Sequence, residues 1–211
     1  MGGTGRDCQC PIDLLFRCEL RSLVVCGNCG VRSSTVDPLL DLSLEIAHLT
    51  HLPILRLKDC LDSFTRPERL LHKCYTCSNC HVASPDTTKA LTIERLPHIL
   101  CFQLKRFEHH GSASVKLDKH VQFPLLLDMK PYVASDTTNQ TDDDTGGLYY
   151  RLTGIVRHQG NVTSGHYQAI IWQDDQWFCF NDDTVSLITL NHLRQIEAYL
   201  LVYSFIPNPL F

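Results

Sequence analysis

The sequence predicts an α+β protein in which a metal-tipped ribbon precedes a mainly antiparallel sheet. Three observations carry this. Two Cys-x-x-Cys knuckles, Cys26/Cys29 and Cys77/Cys80, lie in the first half of the chain, and runs alternating apolar with polar residues crowd the second half from Leu148 onward. One short segment, Leu57 to Phe64, has Leu57, Cys60, Leu61 and Phe64 at helical spacing.

In chain order, the run from Cys18 to Val25 reads as a strand entering the first knuckle, CGNCG, whose glycines allow a tight turn. Beyond it, Leu40, Leu42, Leu44 and Ile46 alternate with Asp41, Ser43 and Glu45, which predicts a half-buried return strand. The helix at Leu57 follows, then the second knuckle in HKCYTCSNCH. TKALTIERLPHILCFQLKRFE makes two strand-like runs broken at Pro97. His109 to Ser114 and Ala134 to Gly147 are polar and read as surface loops. YYRLTGIVRH, HYQAIIW, QWFCF, TVSLITL and AYLLVYSF then supply the strands of an antiparallel sheet.

At 211 residues, 44% hydrophobic and 20% charged, the chain has the composition of a globular protein with one large domain or two small ones. Its net charge is −4 and its basic residues are dispersed apart from Lys105-Arg106, so no direct nucleic-acid partner is expected. The first ten residues carry no apolar targeting segment, and Arg6 stands where a myristoylation signal needs Ser or Thr. The longest apolar runs, such as Leu96 to Leu104, are strand-sized, and no membrane association is expected.

Eleven cysteines without a secretory leader favour metal ligation in a reducing compartment over a disulfide framework, with nucleus or cytosol as the address. Paired knuckles present four thiolates to one ion, the pattern of a closed tetrahedral structural zinc site. The predicted ligands are Cys26, Cys29, Cys77 and Cys80; Cys74 has the same spacing to Cys77, and His72 and His81 stand nearby as substitutes. Cys8 and Cys10 could supply two ligands to a second zinc, with no second pair evident. Cys18, Cys60, Cys101 and Cys179 sit in apolar or amphipathic runs and read as small buried hydrophobes.

The segment NVTSGHYQAIIWQDDQWFCFNDDTV reads as a hairpin with Asp174-Asp175 at its turn. Gln173 then pairs with Gln176, Gln168 faces Asn181 and His166 faces Asp183. His166 and Asn181 share one face as diagonal neighbours, and Asp182 points the other way. An amide oxygen that accepts from an imidazole N–H fixes the tautomer and aims the second nitrogen at a thiol, an arrangement suited to cysteine catalysis. A hydrogen-bonded surface hairpin would read the same way.

Further residues carry a resemblance. Leu96-Pro97, Leu104-Lys105-Arg106-Phe107, Phe123-Pro124, Tyr150-x-Leu152-x-Gly154-x-Val156-x-His158-x-Gly160, Gly165-His166-Tyr167, Trp177-x-x-Phe180-Asn181-Asp182-x-x-Val185 and Ala198-Tyr199-Leu200-Leu201-x-Tyr203 occur in the order seen in ubiquitin-specific proteases. Asp7-Cys8-x-Cys10, Thr35-Val36-Asp37-Pro38 and Phe64-x-Arg66-Pro67-Glu68 look like the subgroup that acts in the SAGA coactivator on ubiquitinated histone H2B. The resemblance implies a papain-like hand with zinc-bearing fingers over about residues 8–90 and a palm over about 91–211. It also implies ubiquitin, ubiquitinated protein and SAGA deubiquitinase-module subunits as partners. His166 would be the general base, Asn181 its orienting partner and Asp182 an assistant.

That family's nucleophile lies in a Gly-Asn-Thr-Cys box followed by a helical thumb, and neither has a match in these residues: Cys8 and Cys10 are flanked by Asp7, Gln9 and Pro11. Loss of a nucleophile costs about six orders of magnitude in turnover. The expectation is therefore a chain inactive by itself: a fragment of a deubiquitinase, a non-catalytic ubiquitin- or partner-binding module, or one of two complementing halves.

Overall fold

The computed structural model describes residues 10–71, 74–110, 113–134 and 147–207. The expected roles of Cys8 and His72 and most of the loop from Ala134 to Gly147 lie outside the described residues. None of the described helices is long and apolar enough to cross a membrane.

A short helix, α1 (Pro11–Phe16), opens on Cys10, whose Sγ accepts from the Asp13 N–H at 3.3 Å. Strands β1 (Cys18–Val25) and β2 (Arg32–Leu39) form an antiparallel ribbon, Cys18 opposite Leu39 and Val25 opposite Arg32. The predicted return strand ends here. Leu40 is 48% exposed, and β3 (Leu42–Glu45) leaves for a different sheet, where Leu42 and Leu44 are fully buried. Alternation alone missed the switch because its period runs unbroken across it.

β4 (Leu55–Arg56) leads into α2 (Leu57–Thr65), where Asp59 accepts from the Arg56 N–H at 2.8 Å and Leu57, Cys60 and Leu61 turn to the core. β5 (Glu68–Arg69) and β6 (Thr88–Arg95) complete a four-stranded sheet in the order β2-β1-β6-β5. After the break at Pro97, whose carbonyl accepts the Tyr150 hydroxyl at 2.6 Å, β7 (Ile99–Lys105) enters the large sheet.

The polar run at His109 to Ser114 is not a plain loop. β8 (Phe107–His110) and β9 (Ala113–Lys116) pair through it as a hairpin, His109 opposite Ser114. Cross-strand pairing outweighs the polar composition that suggested a loop. β10 (Val121–Gln122) runs parallel to β4, and β11 (Leu126–Asp128) borders β12 (Tyr149–Gly160). β13 (Gly165–Gln173), β14 (Gln176–Asn181), β15 (Thr184–Ile188), the single turn α3 (Leu190–Leu193) and β16 (Ala198–Phe205) follow. The large sheet runs β15-β14-β13-β12-β16-β7-β3, antiparallel except where β3 meets β7.

Phe102, Leu104, Leu152, Ile155, Ile170, Leu201 and Tyr203 of this sheet pack with Leu57, Cys60 and Leu61 of α2 in one core. Each such side chain contributes about 1.5–3 kcal/mol on burial. Arg106, 1% exposed, donates from Nε to Ala198 O at 2.6 Å and from Nη1 to Leu117 O and Lys119 O at 2.9 and 2.8 Å. One guanidinium thus ties the base of the β8–β9 hairpin to the start of β16.

Candidate functional site

The ribbon tip carries two knuckles of the same construction. In the first, the Cys26 N–H bonds Val31 O and the Gly30 N–H returns to Cys26 O; in the second, the Cys77 N–H bonds Val82 O and the His81 N–H returns to Cys77 O. The closing residue has φ 71° at Gly30 and 57° at His81. This is the left-handed region that glycine enters freely and histidine at some cost.

The knuckles face each other. Cys26 Sγ lies 3.8 Å from Cys80 Sγ, Cys29 Sγ lies 3.7 Å from Cys77 Sγ, and all four sulfurs fall within 4.8 Å of one another. A tetrahedron with metal–sulfur bonds of about 2.3 Å has edges near 3.8 Å, so donor set and spacing fit a structural zinc closed to outside ligands. Backbone N–H groups aimed at the sulfurs, of Cys29 on Cys26, Val31 on Cys29 and Val82 on Cys80, pull these three thiols below their ordinary pKa. The N–H groups of Cys80 and Asn79 act on Cys77 in the same sense, but burial and the neighbouring thiols outweigh them and raise it. Cys74 is exposed and, like Cys10 and His81, lies outside this cluster.

At the far end of the large sheet lies the hairpin β13–β14. Asp174 and Asp175 both have positive φ, 49° and 58°, forming a two-residue turn that pairs Gln173 with Gln176 and Ala169 with Phe180. That register brings His166 and Asn181 together: Nε2 of His166 lies 2.5 Å from Oδ1 of Asn181. An amide oxygen only accepts, so Nε2 donates, and in the neutral ring Nδ1 keeps its lone pair. The expected pairing of His166 with Asp183 does not form, because Asp182 and Asp183 make the next turn and Asn181 pairs with Thr184. Nor does Asp182 point away. With φ at 49° it leaves the strand's alternation, and its carboxylate lies 3.9 Å from His166 Nε2. Among the described residues, Asn181 and Asp182 are the polar side chains that meet this imidazole.

Behind His166 lies a feature to which sequence reasoning gave no role. Tyr167 joins His158, Phe107 and Tyr199 in a ring of aromatic contacts, with centroids 4.7 Å apart for His158–Tyr167, 5.4 Å for Phe107–His158 and 6.1 Å for Tyr167–Tyr199. His158 is 7% exposed and packs so closely on Gly165 that a methyl group there would overlap its Nε2. Glycine at 165 thus admits the ring that backs the His166 segment. Gly165 and His158 stand in the sequence pattern, but their contact follows from the Gln159–His166 pairing of β12 with β13.

Burial pushes the Cys18 and Cys60 thiols up to about 12 and Cys101 up to about 11, which makes all three poor nucleophiles.

A family model described as ubiquitin carboxyl-terminal hydrolase matches residues 3–203. Ubiquitin carboxyl-terminal hydrolase 8 of Saccharomyces cerevisiae is 39% identical over 204 residues, covering 94% of this chain and 42% of the relative. Ubiquitin carboxyl-terminal hydrolase 22 of Homo sapiens is 36% identical over 228 residues, covering 93% and 43%. Among solved structures, the yeast SAGA DUB module superposes with TM-score 0.83 at 38% identity, over 95% of this chain and 43% of the other. The Ubp8/Sgf11/Sus1/Sgf73 module bound to monoubiquitin superposes with TM-score 0.81 at 38% identity, over 96% and 43%. The chain therefore spans about two fifths of the length of these relatives.

Proposed function

This chain belongs to the ubiquitin carboxyl-terminal hydrolase family, and from that premise we propose that it is the base-bearing half of a cysteine-type deubiquitinase. The reaction is hydrolysis of the isopeptide bond after the C-terminal glycine of ubiquitin. His166 acts as general base through Nδ1, Asn181 fixes its tautomer and Asp182 adds negative charge beside the imidazolium. The observation that carries this reading is the 2.5 Å contact between His166 Nε2 and Asn181 Oδ1.

The thiol comes from polypeptide outside these 211 residues. Further polypeptide also has a place on the sheet: Tyr167, Ile171, Val185 and Leu187 are 54%, 40%, 54% and 60% exposed on the face opposite His166 and Asn181. An apolar face of this kind calls for a further covering layer. The likeness to modules that contain Sgf11, Sus1 and Sgf73, one bound to monoubiquitin, supports ubiquitin and such subunits as partners. The same likeness supports a nuclear address; ubiquitinated histone H2B as a substrate is what the sequence resemblance to the SAGA-associated subgroup implies.

The test pairs two measurements. Labelled ubiquitin should bind the 211-residue chain saturably without turnover. A longer polypeptide that includes the nucleophile segment should be labelled by a thiol-reactive ubiquitin probe, and His166→Ala should abolish that labelling. Binding with no labelling of the longer polypeptide would assign the chain instead to a non-catalytic ubiquitin-binding module; absence of binding would overturn both readings.

A further inference from the structure

We propose that the outer edge of β15 receives an extended, lysine-flanked segment of the substrate protein as an added strand, with one apolar side chain of that segment seated in a cavity at the strand's end. This deepens the deubiquitinase reading and rests on it.

Among the described residues, β15 is the end strand of the large sheet and pairs with β14 alone. Its sequence, TVSLI, has high strand propensity, and it contains neither charge nor proline. Edge strands are ordinarily protected from pairing by charged side chains, proline or a bulge. The ribbon's own edge strand, β2, is protected in this way by Arg32, Asp37 and Pro38. An unguarded edge beside a guarded one marks β15 as a strand that takes a partner.

The backbone is suitably oriented. In a two-residue hairpin the flanking pair, here Asn181 and Thr184, exchanges hydrogen bonds, so the amides and carbonyls of Val185 and Leu187 turn to the free edge. β15 begins level with Asn181, the partner of His166, and ends at Ile188 opposite Trp177. There it meets a cavity of about 530 Å³ lined by Leu125, Trp172, Trp177 and Leu190, with Arg151 and Asp175 among its polar walls. The apolar lining suits an aliphatic or aromatic side chain, and the volume leaves room for the largest of them. At ~3.4 Å per residue, that side chain would stand roughly four to six residues from the substrate position level with Asn181.

Charge selects the occupant. Asp182 and Asp183 precede β15, and the Asp174–Asp175 turn lies at its other end; all four are exposed. Arg151 offsets part of the charge at the cavity end, so the preference for lysine is stronger beside the active site. A second copy of this chain is disfavoured. Two-fold pairing of β15 with itself runs antiparallel and brings Asp182–Asp183 of one copy toward Asp174–Asp175 of the other.

The probe is a fluorescein-labelled decapeptide, Lys-Lys-Thr-Val-Thr-Val-Thr-Leu-Lys-Lys, titrated into the 211-residue chain by fluorescence anisotropy. Saturable binding is expected. Exchanging the lysines for glutamates, or methylating alternate peptide nitrogens to remove their donors, should each weaken it at least tenfold. Leu187→Pro, which removes an edge-facing N–H without touching the β14 ladder, should do the same with zinc content and circular dichroism unchanged. The peptide variants keep the test valid if that protein variant misfolds. No binding of the lysine peptide, equal binding of the glutamate peptide, or indifference to N-methylation would overturn the proposal. So would a dimer in sedimentation that Leu187→Pro dissolves, or a longer, nucleophile-bearing polypeptide whose own strand excludes the peptide. Ubiquitin is titrated in parallel: ubiquitin binding without peptide binding removes only this inference, and loss of both removes the deubiquitinase reading as well.

Discussion

The ribbon tip and the His166–Asn181 hairpin are both made from strand pairs closed by tight turns, yet one completes a site and the other leaves its imidazole with an open nitrogen. Each knuckle directs its own sulfurs by local hydrogen bonds, and two knuckles meeting complete a four-donor cage. The hairpin β13–β14 orients an imidazole against an amide and goes no further. Structural zinc needs only a closed donor set, whereas cysteine catalysis needs a thiol placed against a base from another element of the fold. The two sites thus differ in how far local strand pairing can take them: four thiols complete a donor set, and a His–Asn pair orients one ring.

Three experiments break or sharpen this contrast. The largest effect should follow from removing the metal. Zinc-binding free energies in small ribbons are about 10–16 kcal/mol, part of which is folding free energy. Chelation, or Cys77→Ser, should lower the midpoint of thermal unfolding by at least about 10 °C. The His166–Asn181 pairing, read from the imidazole nitrogen shifts by NMR, should survive any loss confined to the ribbon. An unchanged midpoint after verified loss of zinc would show that the ribbon closes without its ion.

The next effect is alkaline. Cys18 and Cys60 have folded pKa values near 12 against an ordinary 9.0, because burial disfavours their thiolates. Their contribution to stability is complete below pH 9 and is lost as pH rises toward 12, since the unfolded chain ionises first. The loss should amount to a few kcal/mol. Urea titrations between pH 8 and 11 should show this slope, and Cys60→Ala should flatten it. Equal slopes in the two proteins would mean that the Cys60 thiol is not shielded as described.

The smallest of the three concerns Gly165→Ala. The added methyl overlaps His158 Nε2, and overpacking of this kind costs about 1–3 kcal/mol. The His158 and Tyr167 ring resonances should shift while zinc content stays constant. Undisturbed rings would show that the His166 segment has slack behind it.

Much of this was legible before any coordinates. The knuckles announce themselves because ligand spacing is local, and the His166–Asn181 pairing follows from a two-residue turn and simple counting along two strands. The failures share a cause. Alternation around Leu40 to Ile46 reports burial but not which sheet does the burying, so the passage from β2 to β3 was invisible. The β8–β9 hairpin was obscured by polar residues whose pairing, rather than their burial, makes the strands. Asp182 departs from the side that alternation gives it because a single positive φ ends the face rule at Asn181. His158 required knowledge of which strand lies beside which, and no local pattern supplies that.

The four-sulfur cluster also bears on the order in which the chain assembles. Val25 pairs with Thr88, 63 positions away in sequence, and a free chain must close that loop before β1 and β6 can zip. With an ion bridging Cys26 to Cys80, the path is one residue on one side and eight on the other. Shortening the loop from 63 residues to nine reduces the closure cost by about 2 kcal/mol, roughly a twentyfold gain in the chance of encounter. Once bound, the ion makes the pairing of β1 with β6 nearly local, and the 54-residue closure between Cys26 and Cys80 is borne by the metal–sulfur bonds instead.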